Sequence, residues 1–94
     1  MQESKVENRL KKEIELIGGK ALKFVSPGMS GVPDRIVLLP GGRIVFVELK
    51  APGKKPRPLQ EFRIKELKGL GFEVRVLDSI EEVIKFTEEI KKSK

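Results

Sequence analysis

No cysteine occurs among the 94 residues, and neither does histidine, tryptophan or tyrosine. Without cysteine there is no disulfide framework and no thiolate-held zinc. Without histidine, imidazole general bases and imidazole metal ligands are excluded. A tyrosine nucleophile is excluded as well, and five phenylalanines supply every aromatic ring. Any chemistry therefore falls to Asp, Glu, Lys, Arg, Ser, Thr or a metal. A metal held by hard oxygen ligands points to Mg²⁺ or Mn²⁺ rather than zinc. No apolar run approaches a membrane span and no charged-then-apolar leader opens the chain, so the expectation is a cytoplasmic protein.

Cations are what the chain has in excess. Lys and Arg total 20 against 14 Asp and Glu, giving a net charge of +6 and a pI near 9.7. That balance suits a polyanionic partner, nucleic acid first and an acidic membrane surface second, although small lysine-rich proteins also carry such charge for solubility. The length corresponds to one small domain, 1–94, burying roughly 60–65% of its unfolded surface.

The densest signal is Asp34 to Lys50. Arg35-Ile36-Val37-Leu38-Leu39 and Arg43-Ile44-Val45-Phe46-Val47 flank Pro40-Gly41-Gly42, two β-branched runs around a turn, which predicts an antiparallel hairpin. With a three-residue loop Leu39 faces Arg43, Asp34 falls opposite Glu48, and Lys50 shares their face. Opposed residues have Cβ atoms roughly 4.5–5.5 Å apart, and like charges there are destabilising. Two carboxylates set against each other in this way call for a cation between them.

Around the hairpin, residues 3–17 read as an amphipathic helix with Val6, Leu10, Ile14 and Ile17 on one face, stopped by Gly18-Gly19. Glu7 lies at the edge of that face, where it either approaches a metal or closes a capping box with Ser4. Residues 20–25 read as a strand, and a turn-rich loop leads from Ser26 to Pro33. Pro58 is suited to the first position of a helix over 58–69, in which Gln60, Ile64 and Leu67 share a face and Leu59, Phe62 and Leu70 broaden the buried side. Residues 72–77 alternate as a strand. Ser79-x-x-Glu82 is a second capping box, opening a helix to about Lys92 whose apolar arc spans roughly 160°. All five phenylalanines sit in apolar patterns and are expected in the core.

Glu7, Gly31-x-Pro33-Asp34, Glu48-x-Lys50, Gln60 and Val74-Arg75-Val76, in that order, resemble the VRR-NUC branch of the PD-(D/E)XK nucleases. The triplet departs from the pattern, with Val76 in place of the second Arg. The resemblance implies an α/β restriction-endonuclease-like fold, in the order α-β-β-β-α-β-α with a mixed sheet flanked by helices. It implies a Mg²⁺- or Mn²⁺-dependent DNA endonuclease, acting on branched DNA or Holliday junctions in a prokaryotic or virus-infected cell. Asp34 and Glu48 would be the main metal ligands, with the Leu49 carbonyl a third and Glu7 binding the metal or one of its waters. Lys50 would position the attacking water and offset transition-state charge, and Gln60 would hydrogen-bond Lys50, the water or a phosphate. Sequence-specific restriction-like cleavage and a non-catalytic nucleic-acid-binding module are the competing readings.

Lys54, Lys55 and Arg57 follow the catalytic strand closely and are the expected phosphate contacts, unless they form only a solvated loop. Lys91, Lys92 and Lys94 suit a helix C-terminus. Stand-alone proteins of this kind resemble dimeric junction resolvases, and the broad arc of the last helix offers Ile80, Val83, Phe86 and Ile90 as a homodimer interface.

Overall fold

The computed structural model describes residues 3–93. Three helices and four strands follow the expected order: α1 (Glu3–Leu16), β1 (Lys20–Lys23), β2 (Arg35–Leu39), β3 (Arg43–Leu49), α2 (Pro58–Gly69), β4 (Glu73–Leu77) and α3 (Ile80–Lys92). The strands form one sheet in the order β1-β2-β3-β4, antiparallel except for the β3–β4 pair. The hairpin register is the one expected. Leu39 faces Arg43 and Arg35 faces Val47, so Asp34 comes next, opposite Glu48. The Pro40–Gly42 turn bends through left-handed φ values of 85° at Gly41 and 81° at Gly42, which glycine adopts without steric cost.

Residue parity assigns each side chain to a face. Val37, Leu39, Val45, Val47, Leu49 and Leu77 point to one side and pack with Val6, Leu10 and Ile14 of α1 and Val83, Phe86 and Ile90 of α3. Phe46 and Val74 point to the other, under Ile64 of α2, with Phe24, Ile36, Leu67 and Val76 partly buried around them. β3 is covered on both faces, as its near-continuous apolar run requires.

Several expectations are corrected. Leu59, Phe62 and Leu70 do not broaden a buried side of α2; all three are exposed, Phe62 by 56%. At 100° per residue they lie roughly 120–160° around the helix from Ile64, away from the sheet. Phe62 and Phe72 are exposed rather than in the core, although Phe72 still packs edge-on to Phe46 at 5.5 Å between centroids. Nor is the arc of α3 a free interface. Val83, Phe86 and Ile90 are buried within the chain, because α3 packs against both α1 and the sheet, and Ile80 is half-buried. β1 ends at Lys23, although the Phe24 amide still donates to the Asp34 carbonyl at 2.9 Å, and Val25 is exposed.

Local chemistry sets the helix ends. Ser79 Oγ accepts from the Glu82 amide at 3.1 Å, capping α3, and Lys91 and Lys92 occupy its last turn. Lys94 lies outside the described residues. Ser4 is inside α1 rather than capping it.

Candidate active site

The loop that delivers Asp34 is held by α2. Arg63 Nε donates to the Ser30 carbonyl at 2.9 Å, and Gly31 lies so close to Leu59 that an added Cβ would sit 2.8 Å from Leu59 Cγ. Pro33 is fully buried. Asp34 therefore enters the sheet at a fixed height beside the end of β3.

There the two carboxylates brace the strands reciprocally. The Asp34 amide donates to Glu48 Oε1 at 3.2 Å, and the Leu49 amide donates to Asp34 Oδ1 at 3.0 Å. A strand residue sends its amide and carbonyl to the same side, so the Leu49 carbonyl also faces Asp34. Glu48 is only 3% exposed. Its Oε2 receives Lys50 Nζ at 3.1 Å and Gln60 Nε2 at 3.2 Å. Lys50 Nζ also donates to Gln60 Oε1 at 2.8 Å, and that oxygen accepts from the Arg57 amide at 2.9 Å. Gln60 thus ties the start of α2 to the acid and the base at the end of β3. These donors and the neighbouring ammonium offset the cost of burying a carboxylate.

Asp34, Glu48, Lys50 and Gln60 are brought together as the sequence predicts. Glu7 is not. It forms an ion pair with Arg35, whose side chain is 12% exposed, and Arg35 Nη1 stands 3.7 Å from Asp34 Oδ2 and donates to the Asp34 carbonyl at 2.9 Å. Parity explains the separation: Arg35 points to the α1 face, whereas Asp34, Glu48 and Lys50 point to the α2 face. Among the described residues no third Asp or Glu joins the pair in a cluster of metal-ligating side chains. Arg35 is the residue that sequence reasoning missed. An arginine next to a candidate site acid has no motif of its own, and only the α1 packing reveals the contact.

The donor set nonetheless suits a hard divalent cation. Two carboxylates from neighbouring strands and one carbonyl are all oxygen ligands, with water left to complete the shell.

Lys54, Lys55 and Arg57 are exposed. Lys54 and Lys55 border a cavity of about 500 Å³ at the β4 edge, together with Lys65 and Lys68 of α2 and the acids Glu61, Asp78 and Glu82. The two α2 lysines escape sequence reasoning because they are neighbours of the loop in space only. Val76 borders the same cavity and lies in register with Glu48 on the same face, so the family's second Arg would stand there. Arg75 points the other way. It pairs with Glu89 at 2.7 Å and Glu73 at 3.2 Å and lies over the Phe86 ring, a brace between β4 and α3. Its hydrogen bond and charge hold the Glu89 carboxyl below the usual range, and Glu89 in turn raises Arg75.

Known proteins resemble this chain in sequence and in fold. "Putative nuclease p44" of Acyrthosiphon pisum secondary endosymbiont phage 1 is 54% identical over 79 residues, 84% of this chain and 85% of that protein. A solved structure described as "VRR_NUC domain" superposes with a TM-score of 0.87 at 37% identity, over 92% of this chain and 94% of its own. A second, "VRR_NUC domain protein", reaches 0.69 at 20% identity over 94% and 86%, and shares the fold. The sequence pattern of the VRR-NUC domain matches residues 2–81, and on that match the chain belongs to the VRR-NUC family.

Proposed function

We propose that this chain is a Mg²⁺- or Mn²⁺-dependent endodeoxyribonuclease that hydrolyses phosphodiester bonds of branched or otherwise structured DNA. The observation that carries the reading is the closed set Asp34, Glu48, Lys50 and Gln60, two acids and a base on one face at the end of adjacent strands. Asp34, Glu48 and the Leu49 carbonyl would hold the cation. When bound, it would lower the pKa of a water and polarise the phosphoryl oxygen. Lys50, fixed by Glu48 and Gln60, would orient the attacking water and offset charge on the pentacovalent transition state. Gln60 keeps that ammonium from swinging into solvent. Glu7 would act through Arg35, which it holds beside Asp34.

Lys54, Lys55 and Arg57 would contact phosphates. Phosphate contacts fix a substrate's position without reading sequence, which favours recognition by shape. Two sites are needed to cut a junction symmetrically, so the working unit on this reading is a homodimer, with an interface away from the buried face of α3. Among the described residues no helix is long and apolar enough to cross a membrane. The proposed setting is the cytoplasm of a prokaryotic or virus-infected cell.

The test is a panel of end-labelled four-way, flapped and linear DNAs incubated with protein in EDTA, Mg²⁺ or Mn²⁺. The expected result is cleavage with metal only, and faster on branched DNA. Equal cleavage of one linear sequence favours the restriction-like reading. Binding without cleavage under every metal leaves a non-catalytic module.

A further inference from the structure

The proposed catalytic pair lies where the central strands β2 and β3 meet the sheet end, Asp34 just before β2 and Glu48 in β3, and the basic loop 51–57 flanks it at the β4 edge. The opposite edge, β1, carries a second basic feature. Between α1 and β1 runs a groove of about 380 Å³ that begins at Arg35 and Glu7, against the catalytic end, and passes Asn8, Lys11 and Lys23. It continues into a cavity of about 350 Å³ that shares Lys11 and adds Lys20 and Glu15. Arg35, Lys11 and Lys23 face the groove, while Lys20, opposite Leu38, turns its side chain to the other face and borders the cavity from the strand edge; against them stand two acids, of which Glu7 is already paired with Arg35. Among the described residues Lys11, Lys20 and Lys23 form no ion pair.

The backbone adds a second observation. The Phe24 amide donates to Asp34, and β1 pairs antiparallel with β2, with Leu22 opposite Ile36 and Lys20 opposite Leu38. Alternation then turns the Ala21 and Lys23 amides away from β2, towards the open edge. Edge amides and mobile ammonium groups are the donors that nucleic-acid phosphates take.

We propose that the α1–β1 groove is a second nucleic-acid contact surface, which binds the DNA backbone leaving the catalytic end on the side opposite the 51–57 loop. The inference rests on the nuclease reading and extends it: the substrate crosses the sheet end from one basic edge to the other, with the scissile phosphate over Asp34 and Glu48. The protein measures 31 Å along its two longer axes, the length of about nine base steps at roughly 3.4 Å each. The competing role for Lys20 and Lys23 is to keep an exposed edge strand from pairing with other chains.

Lysine acetylation read by mass spectrometry tests the groove on the unaltered protein, with a four-way junction or duplex present and EDTA added to stop cleavage. The expected result is that both DNAs slow modification of Lys11, Lys20 and Lys23 several-fold, as they do at Lys54 and Lys55. In parallel, the triple variant Lys11→Ala, Lys20→Ala, Lys23→Ala should bind duplex with a salt slope lower by about 0.9 for each phosphate no longer neutralised. Protection confined to Lys54 and Lys55 overturns the inference and leaves the nuclease reading intact. A triple variant that aggregates while its soluble fraction binds DNA with unchanged slope makes the lysines edge guards, and also overturns it. If the parent protein neither binds nor cuts any DNA, the nuclease reading falls first and this inference with it.

Discussion

Replacing Lys50 by methionine, Lys50→Met, separates the electrostatics of the site from its chemistry. The side chain keeps its length, but the ammonium between Glu48 Oε2 (3.1 Å) and Gln60 Oε1 (2.8 Å) disappears. Glu48, only 3% exposed, then keeps one amide and one side-chain amide donor and has no countercharge. Removing one partner of a buried ion pair costs about 3 kcal/mol at the low end of the usual range. In a protein of this size that lowers Tm by roughly 12–24 °C. On the proposed reading a divalent cation would supply the missing countercharge. At a hundredfold excess over its dissociation constant it stabilises the folded state by about 2.7 kcal/mol, restoring most of the stability. Lysine offers no ligand to a hard cation, so the variant should keep its metal response while losing cleavage. Thermal melts in EDTA and in Mg²⁺, beside a cleavage assay, read all three quantities. An unchanged Tm in EDTA would mean that Lys50 does not balance Glu48. A variant that melts earlier but no longer responds to metal would make Lys50 part of the binding site rather than its counterweight.

Other perturbations have equally definite outcomes. Asp34→Asn keeps an oxygen to accept from the Leu49 amide and removes one of two opposed charges. In EDTA it should be at least as stable as the parent, while losing the metal-induced rise in Tm and cleavage but not DNA affinity. Replacing Lys54, Lys55 and Arg57 by Ala should weaken binding to all sequences alike and lower the salt slope by about 0.9 for each phosphate released, as measured by fluorescence anisotropy. Phe86→Ala should cost about 3–5 kcal/mol in urea unfolding at every protein concentration, because Phe86 belongs to the core and not to a subunit interface. Glu89 contributes stability above the carboxyl pKa of the unfolded chain, and this is lost as pH falls through its depressed folded value. Glu89→Gln should therefore lower the urea midpoint near pH 7 and leave it unchanged in strong acid.

The sequence is most informative where a structure depends on neighbouring residues. A Pro-Gly-Gly turn fixes a hairpin register, and that register alone sets Asp34 opposite Glu48 with Lys50 on the same face. Pro58 and Ser79 mark helix starts because a missing amide and a side-chain oxygen are suited to those positions. Tertiary neighbours are harder to read. Glu7 shares a helical face with core residues, but parity across the sheet turns Arg35, not Asp34, towards it. The arc of α3 is visible in the sequence, but not that α1 and the sheet both bury against it. Leu59, Phe62 and Leu70 are apolar without sharing the period of Ile64, and exposure follows the period rather than the composition.

On the proposed reading Asp34 and Glu48 form a cation site serving phosphodiester hydrolysis. The most direct measurement is single-turnover cleavage of a labelled four-way junction by metal-stripped protein as Mg²⁺ is returned, compared with Asp34→Asn and Glu48→Gln under the same titration. The expected result is no cleavage before Mg²⁺, saturating cleavage by the parent, and none by either variant while both still bind the junction. Cleavage by the parent in EDTA, or by either variant at the parent's rate, would contradict it.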